Sequence, residues 1–189
     1  MSFRPEARDK LNQALGQAIL RWQYVETALF IIAHGFMGPD YAVNSIVFFH
    51  ITSAKNKLSL IDKLLEHSLS QRHYQNYWRP IKKQTETAIE FRNHLAHFEA
   101  FVVLPKYQHE LGSAFELGIS SHHLDAHSAK TGRVKIMTVE AIEDASAEFL
   151  RVSEILIGFA RHHIPDVEQK IETMPPNLRD WWAGKKPTF

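Results

Sequence analysis

One apolar stripe governs what this chain can become. Leu11, Leu15, Ala18, Trp22, Val25, Leu29, Ile32 and Phe36 recur at alternating steps of four and three. That is the period of one face of a helix, sustained without a break. Pro5 suits the first turn, where a missing N–H costs nothing. Gly35, Gly38 and Pro39 cannot continue the helix and predict its end. Glu26 lies one place past the seam, next to Trp22 and Leu29, and reads as a surface carboxylate, with partial burial the alternative.

The pattern repeats along the chain. Pro39 to Ile51 reads as a second, apolar helix. Thr52 or Ser53 is the expected N-cap of a third, whose seam is Leu58, Ile61, Leu65 and Leu69. Lys55, Lys57 and Lys63 fall on its other faces and read as solvated. Tyr74, Trp78, Ile81, Thr85, Ala88, Arg92 and Leu95 form the fourth stripe. Pro80 falls inside it, so it either kinks the helix or marks its true start after a separate turn from Gln71 to Trp78. Thr138 caps a last long helix with the seam Ile142, Ala145, Phe149, Val152, Leu156 and Phe159, closed by Pro165.

Between the fourth and last long helices the period changes. Phe98 to Leu104, Ser113 to Ile119 and Arg133 to Thr138 are rich in β-formers and are punctuated by Gly112, Gly118 and Gly132. The expected fold class is therefore mainly α: an up-and-down bundle of four to five helices with a small antiparallel β insertion. The expected organisation is a single helical domain over 1–165, with the insertion at about 98–138, and a C-terminal tail over 166–189. The tail carries Pro175-Pro176 and Trp181-Trp182. It reads as irregular or as a short helix, its tryptophans docked on the body or on a partner.

Composition removes several chemistries. The 189 residues include no cysteine, which excludes disulfides, thiolate nucleophiles and Cys-ligated zinc. Net charge is +1, so any nucleic-acid site must be a local patch. No Gly-rich loop followed by Lys-Ser/Thr and no Gly-x-Ser-x-Gly elbow occurs. The N-terminus lacks an apolar signal core, and the run Ala28 to Ala33 is too short for a bilayer. A cytoplasmic protein without a membrane partner is the expectation. His122, His123, Asp125 and His127, with His109 upstream, include metal-ligand types but lack a helical frame, and read as solvated histidines. Arg72, Tyr74, Tyr77, Trp78, Arg79, Lys82 and Lys83 mix cations with rings. Such rows are mostly core on one side and solvent on the other, with an RNA track the sharper alternative.

The densest chemistry closes the fourth stripe. Arg92, Asn93, His94 and His97 lie within six residues, among Phe91, Leu95, Ala96 and Phe98. Metal-free RNA cleavage needs a base, an acid and a cation for the phosphorane. Histidine suits proton transfer near neutrality, and arginine suits the charge. Asn93 can position His97 or hold a phosphate oxygen. Arg92 and His97 are about 140° apart on an ideal helix, so they converge only on a groove or through a loosened last turn. One copy lacks an obvious second proton-transfer group unless His94 serves, whereas two copies across a two-fold axis supply both. A structural role is the alternative: Arg92 bridging buried carbonyls or Glu26, His97 capping the helix C-terminus.

Arg92-Asn93-His94-Leu95-Ala96-His97 resembles the Arg-polar-(x)n-His motif of HEPN domains, which lies late in an all-α bundle, as here. The resemblance covers the motif and the helical body from Arg4 to Ile164. It implies a HEPN-like, metal-independent endoribonuclease of the toxin–antitoxin, defence or RNA-processing kind, with a composite cleft at a homodimer interface. The catalytic set it implies is Arg92, Asn93 and His97, with no cofactor and no metal. The partners it implies are a second copy, RNA, and an antitoxin or other protein. The β insertion is not part of the basic HEPN pattern. The family also contains non-catalytic dimerisation and binding modules, which is the competing expectation.

Overall fold

The computed structural model of the chain describes residues 5–102, 117–121 and 136–184. The protein is mainly helical. Helix α1 runs Pro5–Phe36, α2 Tyr41–His50 and α3 Ala54–Ser68. A single turn α4, Gln71–His73, leads into a π-helical turn, Tyr74–Trp78, and then α5, Arg79–His97. Strands β1 Phe98–Val102, β2 Leu117–Ser121 and β3 Ile136–Thr138 follow. Helices α6 Val139–His163, α7 Val167–Glu172 and α8 Pro176–Trp182 complete the order. Among the described residues no helix is long and apolar enough to cross a membrane.

Local chemistry fixes the ends. Asp40 caps α2, its side chain accepting from the Val43 N–H at 3.1 Å. Ser53 caps α3 by accepting from Asn56, and Thr138 accepts from Ala141 at the start of α6. Asp166, in the left-handed region at φ 52°, turns the chain from α6 into α7.

The chain forms two compact units. The first comprises Met1–Trp22 and Glu90–Phe149. Its core takes Leu11, Ala14, Ala18 and Trp22 from α1, and Ile142, Ala145 and Phe149 from α6. Trp22 meets Phe149 edge to face, with centroids 5.4 Å apart. In its sheet, β2 lies between β1 and β3, antiparallel to both. Phe98 pairs with Ser121 and Val102 with Leu117, and Gly118 pairs with Thr138.

The second unit comprises Gln23–Ile89 and Leu150–Phe189. Every residue of α1 from Ala28 to Gly35 is buried, so this stretch is covered on all sides, not on one stripe. The same unit also buries Phe48, Leu58, Ile61, Leu65, Trp78, Val152, Leu156 and Phe159, and Phe48 meets Phe30 with ring centroids 5.5 Å apart. Gly35 is required by contact: a Cβ there would lie 2.6 Å from two Ile164 side-chain atoms. The tail docks in this unit. Val167, Ile171, Met174 and Trp182 are buried, and the Lys170 ammonium donates to the Gly35 carbonyl. Trp182 donates its indole N–H to Glu168 at 3.0 Å and lies under the Arg161 guanidinium.

Candidate functional site

Helix α5 carries the candidate residues, and its entry is unusual. Pro80 has no N–H, and in a regular helix its ring would strike the carbonyl four residues back. Here the helix widens first: the Arg79 N–H reaches the carbonyl of Tyr74, five residues back. The π turn thus absorbs the proline, and α5 continues without a break to His97.

Asp62 of α3 anchors that turn. Its Oδ1 accepts from the Tyr74 hydroxyl at 2.7 Å and from the Trp78 indole at 2.9 Å. Its Oδ2 accepts from the Lys82 ammonium at 2.7 Å. Burial alone pushes the Asp62 carboxyl up. Hydrogen bonds from Lys82, Tyr74 and Trp78, with the Lys82 charge, outweigh it and hold the carboxyl below its ordinary value. Burial, then the bond to Asp62, pushes the Tyr74 hydroxyl up to about 12. The row from Arg72 to Lys83 therefore does not form a continuous track for RNA. Trp78 is fully buried, Lys82 is paired, and Arg79 is bonded to Gln75.

At the far end of α5, Arg92 is half-buried and Asn93 is exposed. The Arg92 Nη1 donates to the Asn93 Oδ1 at 3.3 Å. This bond uses one guanidinium N–H and the amide oxygen, so the other guanidinium N–H groups and the amide NH2 remain as donors. The pair is rich in donors, which suits an anion with several acceptor oxygens. Among the described residues no carboxylate pairs with Arg92. His94 is half-buried and engaged in an interaction of its own. His97 is the last residue of α5, and its side chain lies outside the described residues. The structure thus brings Arg92 and Asn93 together.

Glu26 has a cation partner within its own unit. It bonds the Lys57 ammonium at 2.9 Å. Lys57 also departs from its expected solvated face: it is 6% exposed, and its ammonium lies over the Phe48 and Phe49 rings at 5.2 and 5.3 Å. Its position four residues before Ile61 and eight before Leu65 was the available signal, because that spacing joins the buried stripe.

Two further clusters carried no sequence signal. His34 is buried against Phe30. The Asn44 amide donates both to the Gly38 carbonyl at 2.6 Å and to the His34 Nδ1 at 2.7 Å. The His34 proton therefore sits on Nε2, a buried atom with no hydrogen-bond partner among the described residues. Burial, reinforced by Lys170, lowers the His34 pKa. At the end of α6, the His163 ring lies 5.1 Å from Tyr77, 5.8 Å from His73 and 4.7 Å from Phe159. Burial, then the His73 and His162 charges, lowers its pKa. No group of three or more His, Asp or Glu side chains among the described residues is arranged to hold a metal ion. His109, His122, His123, Asp125 and His127 lie outside the described residues.

Compared with family models, with curated proteins and with solved structures, the chain matches none.

Proposed function

We propose that this chain is a HEPN-like helical bundle with a β insertion, acting as a metal-independent endoribonuclease through Arg92, Asn93 and His97 in a cleft shared by two copies. One His97 takes the proton of a ribose 2′-hydroxyl, and the resulting oxygen attacks the adjacent phosphorus. The bond to the 5′-oxygen breaks, and that oxygen receives a proton from the His97 of the second copy. The products are a 2′,3′-cyclic phosphate and a 5′-hydroxyl. Arg92 offsets the charge of the phosphorane, and Asn93 holds a phosphate oxygen.

The observation that carries this reading is the state of Arg92. Arg92 is half-buried, has no carboxylate partner among the described residues, and bonds the donor-rich side chain of Asn93. A structural arginine bridging a carboxylate such as Glu26 would have its charge satisfied. This one keeps it for an incoming anion.

RNA cleavage in excess EDTA tests the reading, with wild type beside His97→Ala and Arg92→Ala. The expected result is cyclic-phosphate ends from wild type and a loss of roughly 100-fold or more in each variant at unchanged helical content. Cleavage abolished by EDTA, or retained at the wild-type rate in His97→Ala, overturns it. A second reading, an RNA-binding module without chemistry, needs only the donors of Arg92 and Asn93. It expects RNA binding that survives His97→Ala and weakens in Arg92→Ala, with no cleavage by any of the proteins.

A further inference from the structure

Helix α2 hangs on two points. Of its ten residues only Asn44 and Phe48 are buried. Phe48 packs on Phe30 of α1 and faces the Lys57 ammonium of α3. Asn44 ties α2 to the end of α1 and to the turn between them. Its amide nitrogen donates to the Gly38 carbonyl at 2.6 Å and to the His34 Nδ1 at 2.7 Å. An amide nitrogen accepts nothing, so Nδ1 is the acceptor and carries a lone pair. The His34 ring has little room to turn away. It is 1% exposed, stacked on Phe30 and met edge to face by Tyr41.

We infer that α2 is an acid-released flap, latched by Asn44 only while the His34 Nδ1 is unprotonated. A proton there turns the acceptor into a donor that faces the donor of Asn44. Turning the amide over does not restore both bonds, because its oxygen then meets the Gly38 carbonyl, acceptor against acceptor. One bond is lost in either orientation, in a buried place where an unpaired polar group is most costly. Two titratable groups face the ring. Tyr41 of α2 is kept neutral by burial, and Lys170 of α7 adds a second cation. No carboxylate among the described residues pairs with it. The latched ring resists a proton and the released ring accepts one at its ordinary value of 6.5, so each pH unit below 6.5 favours release by up to about tenfold. A ten-residue helix left with Phe48 alone does not stand by itself, since isolated helices below about 12–15 residues are marginal. Its release uncovers the Phe30 ring, against which Tyr41, Phe48 and Phe49 now pack. The result is an apolar surface on α1 that is closed at neutral pH and opened by mild acid. The inference stands apart from the nuclease reading, since no residue of that site takes part.

The test is amide hydrogen exchange at about pH 7.5 and pH 5.5, with small additions of urea, each rate referred to that of an unstructured chain at the same pH. In wild type the α2 amides of Ser45 to Val47 are expected to open more readily than the α3 amides of Ile61 to Leu65, and with a weaker urea dependence. Their opening is expected to rise roughly tenfold between the two pH values. His34→Gln offers Asn44 an acceptor but cannot titrate, so the rise is expected to vanish there. Asn44→Asp tests the latch from the other side. Its carboxylate can accept from a protonated His34, so α2 is expected to open less often at the lower pH. The inference is overturned if the α2 amides exchange only with the global unfolding that exposes α3, sharing its urea dependence. A wild type without the rise overturns it, as does a rise that persists in His34→Gln or in Asn44→Asp.

Discussion

Lys57 shows how one side chain can be compatible with a core. The residue is buried, stem included, and its ammonium meets Glu26 and two ring faces at once. Glu26 keeps partial access to water, with 24% of its side chain exposed, while Lys57 keeps 7%. Removing the carboxylate charge alone therefore leaves a buried ammonium facing two rings and at most a neutral amide oxygen. Glu26→Gln is expected to lower stability by about 1–3 kcal/mol, the lower part of the range for breaking a buried pair because Glu26 is partly solvated. Glu26→Gln with Lys57→Met should recover most of the loss, because neither group then needs a charge partner. Urea unfolding of both variants checks this. Equal losses in the single and double variants would show that packing of the Lys57 stem, not the ion pair, matters here. The same pair marks a limit of reading residues singly. The stripe Leu58, Ile61, Leu65 was legible, but the step of four from Lys57 to Ile61 was outweighed by the residue's charge. Its partner was invisible because Glu26 lies 31 residues away in sequence.

At the scale of elements, periodicity carried far. The seam of α6 is buried throughout, and those of α1 and α3 are buried except at Leu15, Phe36 and Leu69, which are half-buried; Ser53, one of two expected caps, caps α3, and Thr138 caps α6. Pro80 was the ambiguous point, because a proline in a helical stripe has two local solutions, a kink or a new start. The molecule follows the second: α5 begins at Arg79, and the separate segment from Gln71 to Trp78 ends in a widened π turn. What selects it is Asp62, whose carboxylate collects Tyr74, Trp78 and Lys82 from 12, 16 and 20 residues downstream. No local pattern encodes that. If the π turn already accommodates the proline, Pro80→Ala should change unfolding free energy by less than about 1 kcal/mol, the size of the effect on the unfolded chain alone. Proline at Glu86, an exposed site inside the regular part of α5, should cost about 3 kcal/mol or more. Urea midpoints of the two variants decide it. A large gain on Pro80→Ala would mean that the π turn is strained rather than fitted. The motif at the end of α5 was legible as a set of residue types. Its geometry was only partly so, because the Arg92–Asn93 bond joins neighbours that a helical wheel places on different faces.

For the molecule as a whole, the partition into units falls at Trp22, Ile89 and Phe149. These points lie inside α1, α5 and α6, where uninterrupted periodicity offers nothing to read. Its response to pH follows from groups in the second unit. The fold holds His34 and His163 below the ordinary histidine value of 6.5, chiefly by burial. Between the lowered values and 6.5, the unfolded chain binds more protons than the folded one, so stability rises with pH across that window. The contribution is complete above 6.5 and is lost as pH falls below it. Asp62 has the opposite chemistry and the same sign. Its carboxyl is held below the ordinary 3.8, so its contribution is present above that value and is lost only as pH falls through the folded one. Two descents are expected, a mild one beginning near the histidine range and a second in strong acid. His34 dominates the first on structural grounds: it is buried, its Nε2–H has no partner among the described residues, and Lys170 opposes a second proton. His34→Gln keeps a polar side chain beside Asn44 but cannot titrate. Its stability should therefore differ less than wild type's between about pH 7.5 and pH 5.5, whatever its absolute value. Urea unfolding of both proteins at the two pH values measures this. An unchanged pH difference in His34→Gln would assign the descent to His163, and His163→Gln would then be the variant that flattens it.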